Sequence, residues 1–220
     1  GQSCEVLLFP QGLINIGTEE VGYIFGDFDK VKSLTIPGTV RFIAATSFQG
    51  MASLEELTIE EGVGYISSYA FQNFGGWEGG HPLKIFNLYG GETFAQDSFQ
   101  NWNLAKRDLE IIIPKTAKFI KKSAFVNHEY TAGLSFHPEC EVVIEQDAFL
   151  NWFNATRLII GDKVKSVADS FTNWYLGQEL YIGRSLKTLG TDDLDGWGVK
   201  SEFTNFGKDL EAPIPLVVIP

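Results

Sequence analysis

The chain has few basic residues and no long apolar run. Its 220 residues carry 17 Lys and Arg against 28 Asp and Glu, a formal net charge of −11. Nucleic acids and anionic membranes require basic patches, so this balance argues against both as partners. No apolar run approaches the ~18 residues that a membrane span needs. The chain begins Gly1-Gln2-Ser3 without a signal peptide, and we expect that an export segment has been removed.

Cysteine is nearly absent as well. Cys4 and Cys140 are the only two, and the repeat described below places them about six coils apart. A disulfide requires Cα atoms within ~7 Å of each other, so we expect both thiols to be unpaired. Cys4 aligns with the apolar start of the first strand, which predicts a core thiol; a lipid-anchored cysteine is the alternative.

The sequence also lacks the motifs of catalysis. His81, His128 and His137 do not have metal-ligand spacing, and no Gly-x-Ser-x-Gly segment occurs. The Gly-Gly pairs lack the lysine of a phosphate-binding loop. We therefore expect neither enzyme activity nor a cofactor.

One segment has part of a calcium-loop pattern. Asp193, Asp195, Gly196 and Glu202 fit positions three, five, six and twelve of an EF-hand loop, but Thr191 stands where the first ligand should be. No helical periodicity flanks the segment. Calcium binding by Asp193, Asp195 and Glu202 is therefore disfavoured, although the sequence leaves the question open.

What the chain does have is a repeat. A phenylalanine recurs at intervals of 23, 23, 28, 26, 24 and 22 residues, and Leu194 follows after 23 more. Three positions after each anchor is a large or ring side chain, usually preceded by asparagine. A fixed period in the twenties predicts a solenoid. The phenylalanine anchors are Phe25, Phe48, Phe71, Phe99, Phe125, Phe149 and Phe171.

Upstream of each anchor is an apolar-any-apolar segment, often followed by proline. Alternation with period two and β-branched or aromatic residues predicts short strands, which proline ends. Apolar pairs three residues apart, such as Val40 and Ile43 or Leu186 and Leu189, predict an opposite, inward-facing wall. We expect nine short strands in one parallel sheet, with little helix. The segments are 7–9, 34–36, 57–59, 86–88, 111–113, 134–136, 158–160, 180–182 and 217–219.

Segments 34–48, 57–71 and 111–125 resemble the BspA-like (Treponema-type) leucine-rich repeat, which reads roughly Leu-x-x-Ile-x-Ile-Pro-x-x-Val-x-x-Ile-x-x-x-Ala-Phe. Ala70-Phe71 and Ala124-Phe125 match its Ala-Phe step. The resemblance covers nearly the whole chain, which departs from it in placing an Asn-aromatic pair where the family often has cysteine. It implies a right-handed, mainly β leucine-rich-repeat arc in secreted or surface proteins of bacteria, often host-associated, without enzyme activity.

The period predicts one domain, residues 1–220, of about eight coils. Longer segments at 14–24 and 195–214 make the first and last coils irregular, and we interpret both as caps. A glycine-rich insertion at 74–82 contains Trp77, which lies outside the repeat's phase and is therefore a candidate contact residue. We expect a monomer.

Two rows of repeat residues could bind ligands or support the fold. For the asparagines we favour a structural role, because Asn tolerates left-handed turns and bonds their backbone. For Trp102, Trp152, Trp174 and Trp197 we favour packing over stacking on sugar rings.

The outward face of the strands is the best candidate site. Alternation exposes Ile112, Ile159 and Tyr181, with Arg157 and Glu179 in the neighbouring column. Apolar residues with a charged rim are typical of interaction sites. We predict an extracellular or cell-surface adhesion or binding protein that contacts a host or bacterial protein through this face. The alternatives are glycan binding through Trp77 and exposed tryptophans, and a structural spacer within a longer surface protein.

Overall fold

The computed structural model describes residues 4–73, 82–102, 108–189 and 193–198, and the backbone of 216–218. Within these residues the regular structure consists of short strands, and no helix occurs. The strands are β1 (Val6–Leu7), β2 (Asn15–Ile16), β3 (Ser33–Ile36), β4 (Phe42–Ile43), β5 (Glu56–Ile59), β6 (Tyr65–Ile66), β7 (Ile85–Leu88), β8 (Thr93–Phe94), β9 (Glu110–Ile113), β10 (Phe119–Ile120), β11 (Gly133–Phe136), β12 (Val143–Ile144), β13 (Arg157–Ile159), β14 (Glu179–Tyr181) and β15 (Leu216–Val218).

One wall of the solenoid consists of the nine strands that the alternation predicts. They are parallel, and each pairs with at least one of the strands that lie one coil before or after it. The register aligns Thr35 with Thr58 and Asn87, and it aligns Ile112 with Ser135 and Ile159. Within each of the two sheets described next, the paired residues follow the outward columns that the sequence predicts.

This wall differs from the predicted single sheet in one respect. It is divided into a four-stranded sheet, β1-β3-β5-β7, and a five-stranded sheet, β15-β14-β13-β11-β9. Among the described residues no pairing joins β7 to β9. A proline after β9, Pro114, has no N–H to contribute to the ladder at this point.

The opposite wall is a six-stranded parallel sheet of two-residue strands, β2-β4-β6-β8-β10-β12. Its inward residues are fully buried at Val40, Ile43 and Ile66, as the pairs in the sequence predict. The prediction is wrong for Leu189, which is 40% exposed. Leu189 lies at the end of this wall, where no described neighbouring coil covers it.

The third side of each coil is a corner built on left-handed residues. The residue two positions before each anchor and the residue two positions after it have φ between 53° and 76° wherever the corner is regular, as at Thr46, Gly50, Asp97 and Asn101. This geometry turns two amides toward the next coil, that of the anchor and that of the residue two positions after it. Phe99 N donates to Ala124 O at 2.8 Å, and Asn101 N donates to Val126 O at 3.0 Å.

The corners carry a continuous stack of phenylalanine rings through the core. From Phe48 to Phe171 the anchors are fully buried, and successive rings lie 5.0 to 5.4 Å apart and within 15° of parallel. Phe25, at the first coil, is only partly buried. Because each ring lies between two others, a central anchor contacts apolar surface on both sides.

The fold class expected from the sequence, a mainly β solenoid with parallel strands and little helix, is confirmed. That residues 1–220 form one domain of about eight coils, with capping segments at 14–24 and 195–214, stays a prediction.

Replacing Phe99 or Phe125 by alanine should cost about 3–5 kcal/mol of unfolding free energy, the range for a buried phenylalanine. Neighbouring rings on both sides keep the cavity from collapsing. Phe119→Ala is the matched control, because Phe119 is 44% exposed, and it should cost under about 1 kcal/mol. Denaturant titration measures both values, and equal losses at the two kinds of site would contradict the assigned core.

Candidate binding surface on the strand face

The predicted site residues lie together on the outer surface of the five-stranded sheet. We call Ile112, Arg157, Ile159, Glu179 and Tyr181 the strand-face patch. They come from β9, β13 and β14, with β11 between β9 and β13. Ile112 is 53% exposed, while Ile159, Tyr181 and Arg157 are half-buried. The patch is thus accessible, but its apolar part is less exposed than the alternation alone implies.

Arg157 is held in place by two carboxylates of its own column. Its Nη1 lies 3.4 Å from Glu110 Oε2, and its Nε lies 3.2 Å from Glu179 Oε2. The Nε contact is an ion pair without hydrogen-bond geometry. Gly133 lies between Glu110 and Arg157, and a side chain there would come within 3.1 Å of Arg157 Cβ. The glycine therefore gives the guanidinium its path to Glu110.

Tyr181 is fixed by a hydrogen bond at its far end. Its hydroxyl donates to Asp162 Oδ1 at 3.2 Å, and the same oxygen accepts from Arg184 N at 3.1 Å. This bond fixes the orientation of the half-buried ring. Tyrosine and arginine side chains are typical of the residues that contribute most of the binding energy at protein interfaces.

A cleft that sequence reasoning missed adjoins the patch, where the strand wall divides between β7 and β9. Its volume is about 680 Å³. Ile112 belongs to both the cleft and the strand-face patch. The cleft is lined by Glu60, Glu61, Phe86, Asn87, Leu88, Tyr89, Glu110, Ile112, Pro114, Lys115 and His137.

An ion pair crosses this cleft. Lys115 Nζ lies 2.9 Å from Glu61 Oε1, two coils away, and this contact holds the pKa of Lys115 above its ordinary value. The repeat places Gly90 between them, where a Cβ atom would lie 2.0 Å from the carbonyl oxygen of Glu60. Only glycine fits there, and its missing side chain leaves Lys115 a path to Glu61.

The signal that could have located the cleft is the period itself. The two longest intervals between anchors, 28 and 26 residues, fall on either side of Phe99, in the coils that contain β7 and β9. The Gly90-Gly91 pair is a second signal. Neither indicates where on a coil the additional length opens the wall.

The tryptophan row is structural, as favoured from the sequence. Trp102, Trp152 and Trp174 are fully buried. The indole of Trp152 lies 5.0 Å from that of Trp174 at an angle of 4°. Each indole N–H donates to the carbonyl of an earlier anchor, as Trp152 does to Phe125 O at 2.7 Å. The alternative of glycan binding through these tryptophans is wrong, because no face of the three rings reaches solvent.

Two predicted site residues cannot be placed in this way. Trp77 lies outside the described residues, and so does Glu202. Trp197, the last of the row, is partly buried against Trp174 at 5.6 Å. Asp193 is buried, and its Oδ1 accepts from Asp169 N at 2.6 Å, so its carboxylate has a role in the fold. In the described parts of the chain, no cluster of three or more His, Cys, Asp or Glu side chains could hold a metal ion.

The asparagines form a ladder of side-chain amides. Asn127 Nδ2 donates to Asn101 Oδ1 at 2.7 Å, and Asn151 Nδ2 donates to Asn127 Oδ1 at 2.8 Å. The residues are left-handed, with φ between 60° and 67°. The predicted structural role is confirmed, but the amide partners are the neighbouring asparagines rather than the backbone of the turn.

His128 replaces tryptophan in the buried row. It stacks between Trp102 and Trp152, and its Nε2 lies 2.7 Å from Phe99 O. Since a carbonyl only accepts, Nε2 carries the hydrogen. Burial lowers the pKa of His128 to about 3. The imidazole is therefore neutral in the folded protein at ordinary pH.

Both cysteines are free, as expected. Cys4 is half-buried, and its thiol donates to Val6 O at 2.9 Å. Cys140 is buried, and burial raises the pKa of its thiol to about 12. A thiol that stays protonated is a poor nucleophile, so Cys140 serves the core.

Stacked coils with a wall of parallel strands, a second wall of two-residue strands and a left-handed corner define a β-solenoid of the leucine-rich-repeat class. The chain belongs to the family of the BspA type leucine rich repeat region, whose family model matches residues 3–128 and 92–201 with six copies of the repeat. Leucine-rich repeat families are generally non-enzymatic. No helix in the described residues is long and apolar enough to cross a membrane.

The fold is similar to the crystal structure of a leucine-rich repeat protein from Bacteroides ovatus ATCC 8483. The TM-score is 0.46 and the sequence identity is 18%, over 79% of this chain and 48% of that protein. The present chain thus spans about half the length of that protein. None of the curated proteins matches the sequence.

Acid should destabilise the protein through His128. The folded-state pKa of His128, about 3, is below the ordinary histidine value of 6.5, so only the unfolded chain takes up the proton as pH falls below 6.5. Its contribution is complete above that pH and is lost at about 1.4 kcal/mol for each pH unit below it. Denaturant titrations from pH 7.5 to 4 should show a shallower loss for His128→Trp.

His128→Phe is the second variant, because it removes the titrating group and adds less volume than His128→Trp does. The comparison concerns the slope of stability against pH, so a constant packing cost does not affect it. If both variants lose stability with pH in parallel with the wild type, His128 is charged in the folded state or accessible to water.

Proposed function

We propose that the protein is a non-catalytic binding protein, secreted or exposed at the cell surface, that recognises a protein ligand through the strand-face patch. The observation that supports this proposal most strongly is the position of Arg157. It is held between Glu110 and Glu179, at 3.4 and 3.2 Å, beside the half-buried side chains of Ile159 and Tyr181. A guanidinium fixed before binding loses little conformational freedom on association.

The chemistry of the surrounding surface supports a protein partner. Arg and Tyr are the residues most often found at energetic centres of interfaces, and the rim of the patch is charged. Leucine-rich repeat domains generally mediate protein binding, and BspA-type repeat proteins are typically surface-exposed or secreted. The net charge of −11 also favours a partner that is not a nucleic acid.

The test uses immobilised panels of purified extracellular-matrix and cell-surface proteins, with a glycan array in parallel. For a protein ligand found in this way, Tyr181→Ala and Arg157→Ala should each weaken binding by about thirtyfold or more, the equivalent of ~2 kcal/mol at an interface centre. Thr35→Ala is the control, since Thr35 is exposed on the same wall in β3, within the other sheet. Surface plasmon resonance measures the dissociation constants, and thermal melting verifies that each variant is folded.

Trp77→Ala separates this proposal from glycan binding through the insertion. If only the Trp77 variant loses binding, the strand-face proposal fails and the glycan alternative gains. If binding is unchanged in all the variants, the recognition surface lies elsewhere on the solenoid.

A further inference from the structure

We propose that the cleft between β7 and β9 binds an extended peptide segment in which a basic side chain lies next to an apolar one. The inference rests on the proposed function only in that the partner is a protein. It concerns a second binding site beside the strand-face patch. The two sites share Ile112, and Glu110 of the cleft also pairs with Arg157 of the patch.

The first observation is that two strand edges face each other across the cleft. Among the described residues, β7 is bonded to β5 alone and β9 to β11 alone. Lys84 N donates to Glu55 O, and Ala132 N donates to Leu109 O, both at 2.8 Å. The equivalent bond from Leu109 N to Lys84 O, which would join the coils of β7 and β9, is absent, although both residues are described. Backbone groups at these two edges therefore lack the strand-to-strand bonds that are formed within each sheet.

Proline removes a second bond from the same place. At the ends of β3, β5 and β9 the last carbonyl accepts an amide from the next coil, as Ile113 O does from His137 N at 2.9 Å. From the repeat, the residue whose amide would donate to Leu88 O is residue 114, and that residue is Pro114. Because proline has no N–H, the Leu88 carbonyl is left for another donor. The cleft therefore favours a ligand that donates hydrogen bonds.

The floor of the cleft is apolar and partly open to solvent. Phe86 and Leu88, the inward residues of β7, keep 8% and 6% exposure, whereas Leu57 and Ile111 at equivalent positions of β5 and β9 keep none. Ile112 at the rim is 53% exposed and Tyr89 is 57% exposed. An apolar group of a ligand would remove these side chains from water, which favours binding.

The charge of the cleft determines which charge a ligand must carry to bind there. Three carboxylates, Glu60, Glu61 and Glu110, line it against one ammonium group, Lys115. His137 also lines the cleft, and its Nδ1 accepts from Glu139 N at 3.1 Å. Since the described residues hold no cluster suited to a metal ion, the complementary cation is an ammonium or guanidinium group.

The dimensions favour a segment lying along the cleft. Cα atoms of β7 and β9 come within 8 Å of each other, whereas a strand inserted between them would need about 10 Å, twice the spacing of paired strands. The other two sides of these coils are closed, by the pairing of β8 with β10 and by the bond from Phe99 N to Ala124 O. A volume of about 680 Å³ holds a few side chains of a peptide whose backbone stays on the outer surface.

The experiment uses three fluorescein-labelled hexapeptides with blocked ends: alternating Lys and Val, alternating Glu and Val, and alternating Lys and Ser. Fluorescence anisotropy at 0.15 M salt should show binding of the Lys-Val peptide, weaker binding of the Lys-Ser peptide and none of the Glu-Val peptide. Glu61→Gln and Glu110→Gln should each weaken Lys-Val binding about fivefold, and Lys115→Gln should strengthen it by a similar factor.

The matched control is Glu92→Gln. Glu92 forms a comparable exposed pair with Lys118, at 3.1 Å, on the opposite wall. If Glu92→Gln weakens binding as much as Glu61→Gln does, the peptide is attracted only by the net charge and the proposal fails. The proposal also fails if no peptide binds, if the Glu-Val peptide binds equally well, or if acetyl-lysine amide alone competes as strongly as the peptide.

Tyr181→Ala distinguishes this site from the strand-face patch. It should leave Lys-Val binding unchanged, because Tyr181 does not line the cleft. Loss of peptide binding in that variant would place the peptide on the patch and overturn the cleft proposal. Normal peptide binding, combined with the failure of Tyr181→Ala to affect a protein ligand, would instead refute the proposed function alone.

Discussion

The backbone bonding from one coil to the next, at the left-handed corner, is the constraint on which the rest of the structure depends. Each anchor from Phe48 to Phe171 sits between two residues with positive φ, such as Asp97 and Asn101 around Phe99. That geometry directs two amides of each corner to the following coil at 2.7 to 3.2 Å from Phe48 to Asn173. It also fixes the coil spacing that places one phenylalanine ring on the next. Without the corner, neither the phenylalanine rings nor the tryptophan row could stack.

Because the corner and the second wall remain closed between the coils of β7 and β9, the strand wall can divide there without separating the coils. The two halves stay joined by the Phe71–Phe99–Phe125 stack, whose successive centroids are 5.0 Å apart. The result is an opening on one side of an otherwise continuous solenoid. Rigid scaffolds with a local departure from regularity are where proteins commonly place binding sites.

The period determined much of this fold in advance. Spacing alone identified the buried anchors, and alternation identified both outward columns of the strand wall, including Ile112, Ile159 and Tyr181. The strand-face patch could be predicted because side-chain direction on a strand follows from position. Whether that patch binds a partner is not a property that alternation determines.

Other features could not be derived from the period. The left-handed residues before each anchor are chemically diverse, with Tyr69, Asp97 and Ser123 among them, so residue type gives no signal. The division of the strand wall coincides with Pro114 and with the two longest coils, but Pro37 follows β3 without dividing β1 from β3, so a proline alone does not predict it. The ion pair of Lys115 with Glu61 skips a coil, and it depends on Gly90 having no side chain.

Native-state amide hydrogen exchange, followed by NMR, tests the central claim most directly. The corner amides of Phe71, Phe99 and Phe125 should exchange only through global unfolding, because each is bonded to the next coil inside the core. The amide of Leu109, which faces Lys84 across the divided wall, should exchange orders of magnitude faster than that of Ala132 one coil later. Equal protection at Leu109 and Ala132, or rapid exchange at the corner amides, would contradict a solenoid held by its corners and opened at one place on its strand wall.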